Sequence, residues 1–225
     1  MQTPDLRMVR ALIFDLDGTL IDSKLDLIHS INAMLREKKR PELPAETIAG
    51  YIGNGAPVLV ARAMGANASP EELPSALEFF LAYYEAHKMD NTVPYPGVPE
   101  ALEQLAEMPM AVLTNKPVRI SVRILEEMRL AKYFRVIYGG NSFEKKKPDP
   151  MGTNMILREL GMKPNEVLFV GDSEVDVQTA RNAGTWAATV NFGFGTHDRV
   201  AHPPDLYLER MSDLATVLGV GMRQG

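Results

Sequence analysis

The 225 residues suffice for one large domain or for a core with a smaller insertion, and an apolar content of 45% allows a proper core. The net charge of -5 shows no basic excess for a nucleic acid to meet, and the absence of cysteine removes disulfides, thiolate nucleophiles and cysteine-ligated zinc. No apolar run reaches the length of a membrane span and the polar start carries no signal core, so a soluble, cytoplasmic protein is expected.

Residues 11–14 form a short apolar run, which reads as a buried strand, and it ends in Asp15 and Asp17. Gly18 then lets the backbone turn sharply. Residues two apart in a strand share a side, so the two carboxylates are expected to leave its end together. Their repulsion calls for a cation, and Mg²⁺ is the hard ion that takes oxygen ligands. An EF-hand loop fails here: Gly18 comes too early, and the twelfth position from Asp15 is Asp26 rather than a glutamate.

Over 23–39, Leu25, Ile28, Ile31 and Leu35 fall at helical spacing, with Asp22 or Ser23 as the cap and Asp26 in the first turn. Pro41 and Pro44 end that helix. Residues 45–51 and 58–64 read as two helices joined by the turn Gly53-Asn54-Gly55. Ser69-Pro70-Glu71-Glu72 is a helix start, and the helix runs to about residue 88, broken or delayed near Pro74. Nothing from 23 to about 90 reads as a strand. This change of class marks residues 23–92 as an inserted all-helical domain, with 1–22 and 93–225 as the core and 93–97 as the return linker.

Beyond the linker the pattern alternates. Helices are expected at 98–107, 118–128, 151–160, 175–182 and 212–218, and strands at 110–113, 136–138, 167–170, 185–190 and 206–208. A repeated strand–helix order implies an α/β, Rossmann-like parallel sheet covered on both faces, with ligands beyond the carboxyl ends of its strands. At those ends stand Thr114-Asn115-Lys116-Pro117, then the run Lys145-Lys146-Lys147-Pro148, then Gly171-Asp172-Ser173-Glu174-Val175-Asp176. Alone, each has a bland reading: a helix cap, a solvated face, a turn. Together they place carboxylates, a hydroxyl, an amide and an ammonium at one end of one sheet.

The stretch Asp15-Leu16-Asp17-Gly18-Thr19-Leu20-Ile21-Asp22-Ser23 resembles the first motif of the haloacid dehalogenase superfamily, and the other three stretches match its remaining motifs in order. The helical insertion lies where that family carries its type-one cap. The resemblance implies an enzyme in which Asp15 is the nucleophile and forms an aspartyl-phosphate. It implies that Asp17 is general acid and then base, its backbone carbonyl on Mg²⁺, with Asp15 and Asp172 as carboxylate ligands and Asp176 holding the metal's waters. Thr114 and Asn115 would bind the phosphoryl oxygens, and Lys147 would offset the charge, with Lys145 and Lys146 incidental. A dehalogenase or a phosphonatase departs at position 17, so Asp17 favours a phosphomonoesterase.

Tyr51-Ile52-Gly53-Asn54-Gly55-Ala56-Pro57, taken with Thr114-Asn115-Lys116-Pro117, is similar to phosphoglycolate phosphatases, which act on a small phosphate ester bearing a carboxylate. The free N–H groups of Gly53, Asn54 and Gly55 are candidates to meet that carboxylate, and Arg62 is a further one. Sugar phosphatases, nucleotidases, a pyrophosphatase and phosphomutases share the architecture. The expected partner is a small phosphorylated metabolite, the expected state a monomer or homodimer. His29, His87, His197 and His202 lie in no motif, so a histidine-based triad has no support, and Phe192-Gly193-Phe194-Gly195 has no role legible in the sequence.

Overall fold

A computed structural model describes residues 6–195 and 201–220; His197 lies outside them. The first strand, β1 (Ala11–Phe14), is buried along its whole length. The short β2 (Ile21–Asp22) follows, then four helices: α1 (Lys24–Glu37), α2 (Ala45–Ala49), α3 (Ala56–Met64) and α4 (Glu72–His87). The chain returns through β3 (Val93–Pro94) and α5 (Val98–Gln104). Then come β4 (Met110–Leu113), α6 (Val118–Glu127), β5 (Val136–Tyr138) and α7 (Met151–Leu160). The rest comprises β6 (Val167–Gly171), α8 (Glu174–Ala183), β7 (Trp186–Val190), β8 (Leu206–Leu208) and α9 (Asp213–Val217).

Six strands form one sheet in the order β5-β4-β1-β6-β7-β8, and every neighbouring pair is parallel. The pleat sorts their side chains. Leu12 and Phe14 share a core with α5, α6 and α9, while Ala11 and Ile13 pack with α7 and α8 on the other face. Burial on both sides is why these strands read as unbroken apolar runs. Each fully buried side chain such as Leu12, Phe14 or Phe169 contributes about 1.5–3 kcal/mol.

Three local readings change. Leu25 is 52% exposed, and Leu27 joins Ile28, Ile31 and Leu35 on the buried face of α1. The return linker is more than a spacer: Val93 and Pro94 pair antiparallel with Asp22 and Ile21. Asp26 stands in the first turn of α1 as expected, and it is buried there. Its carboxylate accepts hydrogen bonds from the Asn91 and Thr92 backbone N–H groups, the Asn91 amide and the Thr92 hydroxyl, at 2.6–3.0 Å. Burial alone would raise the Asp26 pKa, but these bonds outweigh it and hold the carboxyl below its ordinary value. Both chain crossings into the helical segment are thereby clasped together. Pro74 does not break α4, because it sits in the first turn, where its missing N–H has no helical partner to lose. Among the described residues, no helix is long and apolar enough to cross a membrane.

Candidate active site

The sheet changes direction at β1. The chain builds β4 and β5 on one side of it, then crosses to build β6, β7 and β8 on the other. The crevice at such a switch point is where α/β sheets bind ligands. Phe14 is in register with Val112 on β4 and Val170 on β6, so Asp15, Thr114 and Asp172 emerge from adjacent strand ends. The Asp15 N–H donates to the Val170 carbonyl at 2.9 Å, which extends the ladder to the nucleophile candidate itself.

Backbone packs tightly around Asp172. Gly18 has φ +83°, and a Cβ there would lie 2.1 Å from Asp172 Oδ2. A Cβ on Gly193 would lie 2.2 Å from Asp172 Cβ. The N–H groups of Phe194 and Gly195 donate to Asp172 Oδ2 at 3.0 and 2.7 Å. The Phe192-Gly193-Phe194-Gly195 loop thus anchors this carboxylate, a role that no sequence pattern signals.

Oxygen atoms of Asp15, Asp172 and Asp176 lie within 4.8 Å of one another, and all three residues are buried. One buried ammonium, Lys147, serves them, at 2.8 Å from Asp15 Oδ1 and 2.6 Å from Asp176 Oδ1. The other Asp176 oxygen accepts from the Ser173 N–H (3.1 Å) and hydroxyl (2.6 Å), so both its oxygens are engaged. Burial pushes the Asp15 carboxyl up to about 6; Lys147 works against that and Asp176 adds to it. Burial, Asp176 and Asp15 likewise raise Asp172 well above the ordinary carboxylate range. Burial disfavours the Lys147 ammonium, yet Asp15 and Asp176 raise its pKa above the usual value. Three carboxylates against one ammonium leave negative charge that burial makes costly. That hard-oxygen donor set fits a divalent cation.

Asp17 lines the same cavity as Asp15, but its carboxylate stands outside this cluster. Its oxygens meet Lys116 Nζ at 2.9 and 3.1 Å, and Oδ1 accepts from the Ser23 hydroxyl at 2.5 Å. Ser23, expected as a helix cap, makes no side-chain cap bond and serves the site instead. Lys116 was missed as a site residue. It is 5% exposed, donates to the Tyr84 hydroxyl of α4 at 2.5 Å and lies 4.4 Å from the centre of that ring. Burial opposes the Lys116 charge, but Asp17 and Tyr84 outweigh it and raise the pKa. Burial also pushes the Tyr84 phenol up to about 12. The one available signal was the position of Lys116, directly after the Thr114-Asn115 pair at a strand end.

Thr114 is buried and lines the cavity together with Asp15, Asp17 and Asp172. The Asn115 side-chain nitrogen is spent on backbone, donating to Gly53 O (3.0 Å) and Lys147 O (3.1 Å). Lys146 is not incidental: it donates to Asn54 O at 2.5 Å. The turn at Gly53-Asn54-Gly55 therefore docks on the sheet end through its carbonyls, while Gly53, Gly55 and Ala56 line the cavity. Asn54 and Arg62 are not among the lining residues, and Arg62 is exposed at the far end of α3. Lys145 pairs with Asp149 at the surface.

The model of the haloacid dehalogenase-like hydrolase family matches residues 12–190. The chain belongs to this family. A relative named phosphoglycolate phosphatase, from Pseudomonas syringae pv. tomato, is 41% identical over 196 residues, which are 84% of this chain and 71% of that one. Phosphoglycolate phosphatase 1 of Pseudomonas aeruginosa is 39% identical over 217 residues, 92% of this chain and 79% of that one. The crystal structure titled "predicted phosphoglycolate phosphatase" from Haemophilus somnus 129pt superposes with a TM-score of 0.89 at 30% identity, covering 93% and 98% of the two chains. The α/β fold of these hydrolases and the phosphatase names of the relatives agree with the carboxylate-rich strand ends described above.

Proposed function

We propose that this hydrolase is a Mg²⁺-dependent phosphomonoesterase that acts on 2-phosphoglycolate through an aspartyl-phosphate at Asp15. The observation that carries the reading is the Asp15 carboxylate, buried at the switch point with Lys147 at 2.8 Å. A phosphate dianion repels an anionic nucleophile, so the site must supply positive charge and hold the attacking oxygen in line. Lys147 supplies part of that charge and holds the Asp15 oxygen by their 2.8 Å contact. Asp176 holds Lys147 in place at 2.6 Å. Thr114, from the end of β4, donates to a phosphoryl oxygen. Asp17 gives its proton to the departing alkoxide and later takes one from the hydrolytic water. Ser23 and Lys116 fix its carboxylate for both tasks. Asp15, Asp172 and the backbone carbonyl of Asp17 would hold the Mg²⁺, which would supply charge neutralisation for the phosphoryl group.

Residues 23–92 act as a cap over this end of the sheet. The docked turn at Gly53–Gly55 and the wall residues of α3 and α4 support that reading, since closure would exclude water from the intermediate. The relatives' names support the substrate. A small charged metabolite also suits a cytoplasmic enzyme, which fractionation checks. Phosphate release from a panel of small esters with Mg²⁺ tests the activity. Turnover of 2-phosphoglycolate that Asp15→Asn abolishes is the expected result, with a phosphoryl adduct on Asp15 in quenched wild-type protein. Turnover that survives Asp15→Asn refutes the mechanism.

A further inference from the structure

We infer that the Lys116 ammonium and the Tyr84 hydroxyl form the receptor for an anionic group on the leaving alcohol, and so set specificity for carboxylated phosphate esters. The inference rests on the roles given above to Asp15 and Asp17.

Among the described residues that line the cavity, Lys116 carries the one basic side chain. The wall beyond it, toward the helical segment, is apolar: Leu27, Ile52, Leu59, Phe80 and Leu81. A carboxylate placed against that wall would lose its water and find no donor, which costs several kcal/mol. Lys116 brings charge to the wall's polar edge; its three N–H groups reach the Tyr84 hydroxyl and both Asp17 oxygens, so a substrate carboxylate would share the N–H on the longer, 3.1 Å contact. Its ammonium carries no acceptor, so in the 2.5 Å contact Tyr84 is the acceptor and keeps its own proton to give. No described residue takes that proton, although Tyr84 is 1% exposed and lines the cavity. A buried phenol O–H beside a buried ammonium is a two-donor seat for the two oxygens of a carboxylate.

Its place also suits the reaction. Lys116 touches Asp17 at 2.9 Å, and Asp17 is the group that meets the ester oxygen. A carboxylate one carbon from that oxygen falls within the span of one further contact. The two donors come from separate parts of the chain, Lys116 from the end of β4 and Tyr84 from α4. The seat therefore exists only when the helical segment lies against the sheet end. Arg62, on the outer end of α3, does not contribute to it.

The test compares 2-phosphoglycolate with 2-hydroxyethyl phosphate, which has the same length and no carboxylate. Wild-type protein is expected to favour the carboxylated ester by about 100-fold in kcat/KM, as one charge-assisted contact predicts. Lys116→Gln should reduce that ratio to within about threefold of unity, and Tyr84→Phe should reduce it about tenfold. Because the ratio is taken within each variant, damage transmitted to Asp17 cancels. Ratios unchanged in both variants overturn the inference, as does wild-type turnover of both esters without preference. If Lys116→Gln releases no phosphate from either ester, Tyr84→Phe decides, and an unchanged ratio there overturns it. Wild-type protein that hydrolyses neither ester instead refutes the phosphatase reading, and the receptor falls with it.

Discussion

Stripping divalent cations should make this protein more stable in mild acid than in mild base. The cause is the carboxylate cluster, where Asp15, Asp172 and Asp176 share only Lys147. The Asp15 carboxyl moves from 3.8 in a free chain to about 6 in the fold. The fold therefore holds that proton more tightly than the unfolded chain does. Ionising Asp15 in the fold costs about 3 kcal/mol at pH 8, at 1.36 kcal/mol per tenfold. About half of that cost remains at pH 5, so acidification returns about 1–2 kcal/mol from this group alone. Asp172 is shifted in the same direction and adds to the effect. For a chain of this size the gain corresponds to about 3–6 °C in Tm. The assay is a thermal melt in chelator at pH 5 and pH 8, repeated in Mg²⁺. Mg²⁺ at 100 times its Kd should add about 2.7 kcal/mol at pH 8, and less at pH 5, where the carboxyls hold protons. Asp15→Asn should reduce the slope, leaving the share of Asp172, and, in chelator at pH 8, melt higher than the wild type. A metal-free Tm that falls steadily from pH 8 to pH 5, or an Asp15→Asn variant less stable than wild type at pH 8, would refute the reasoning.

Asp26→Ala should cost about 3 kcal/mol in urea unfolding, because the buried N–H and hydroxyl of Thr92 lose their acceptor. The depressed Asp26 pKa gives a stabilisation that is present above 3.8 and lost as pH falls below it, so Asp26→Asn should flatten the acid limb of the stability profile. Gly193→Ala should lower kcat/KM at least tenfold while leaving Tm within a few degrees, since its Cβ would displace Asp172 rather than core; steady-state kinetics beside a melt reports both. Glu85→Gln, which breaks surface pairs with Arg119 and Arg123 at 2.7 and 2.6 Å, should change stability by less than about 1 kcal/mol, and a larger loss in urea unfolding would contradict the low worth of exposed pairs.

Strand positions were legible because burial on both faces leaves an unbroken apolar run, as at Ala11–Phe14 and Met110–Leu113. The helices between residues 23 and 90 were legible for the same kind of reason: the apolar spacing there is that of a helix and never that of a strand. Parallel order follows from the alternation of strand and helix, and it alone brings Asp15, Thr114 and Asp172 to one edge. Lys147 was singled out only by the family resemblance, as the lysine directly before Pro148, because a run of three lysines by itself reads as a solvated face. These are statements about local spacing and about the one way such spacings can be packed.

The amino-acid sequence by itself therefore determined the fold class, the strand ends that carry polar groups, and the family resemblance. Only the tertiary structure decided how charges pair. Asp17 meets a lysine 99 positions away, Asp26 meets a backbone segment 65 and 66 positions away, and Leu25 yields its place in the core to Leu27. Arg62 was the cation expected near the substrate and Lys116 was not, yet Lys116 is sealed against Tyr84 and Arg62 is exposed. Periodicity records which face of an element is apolar. The desolvation that raises Asp15 and draws Lys116 inward is set by atoms from distant segments, and no spacing along the chain encodes their arrival.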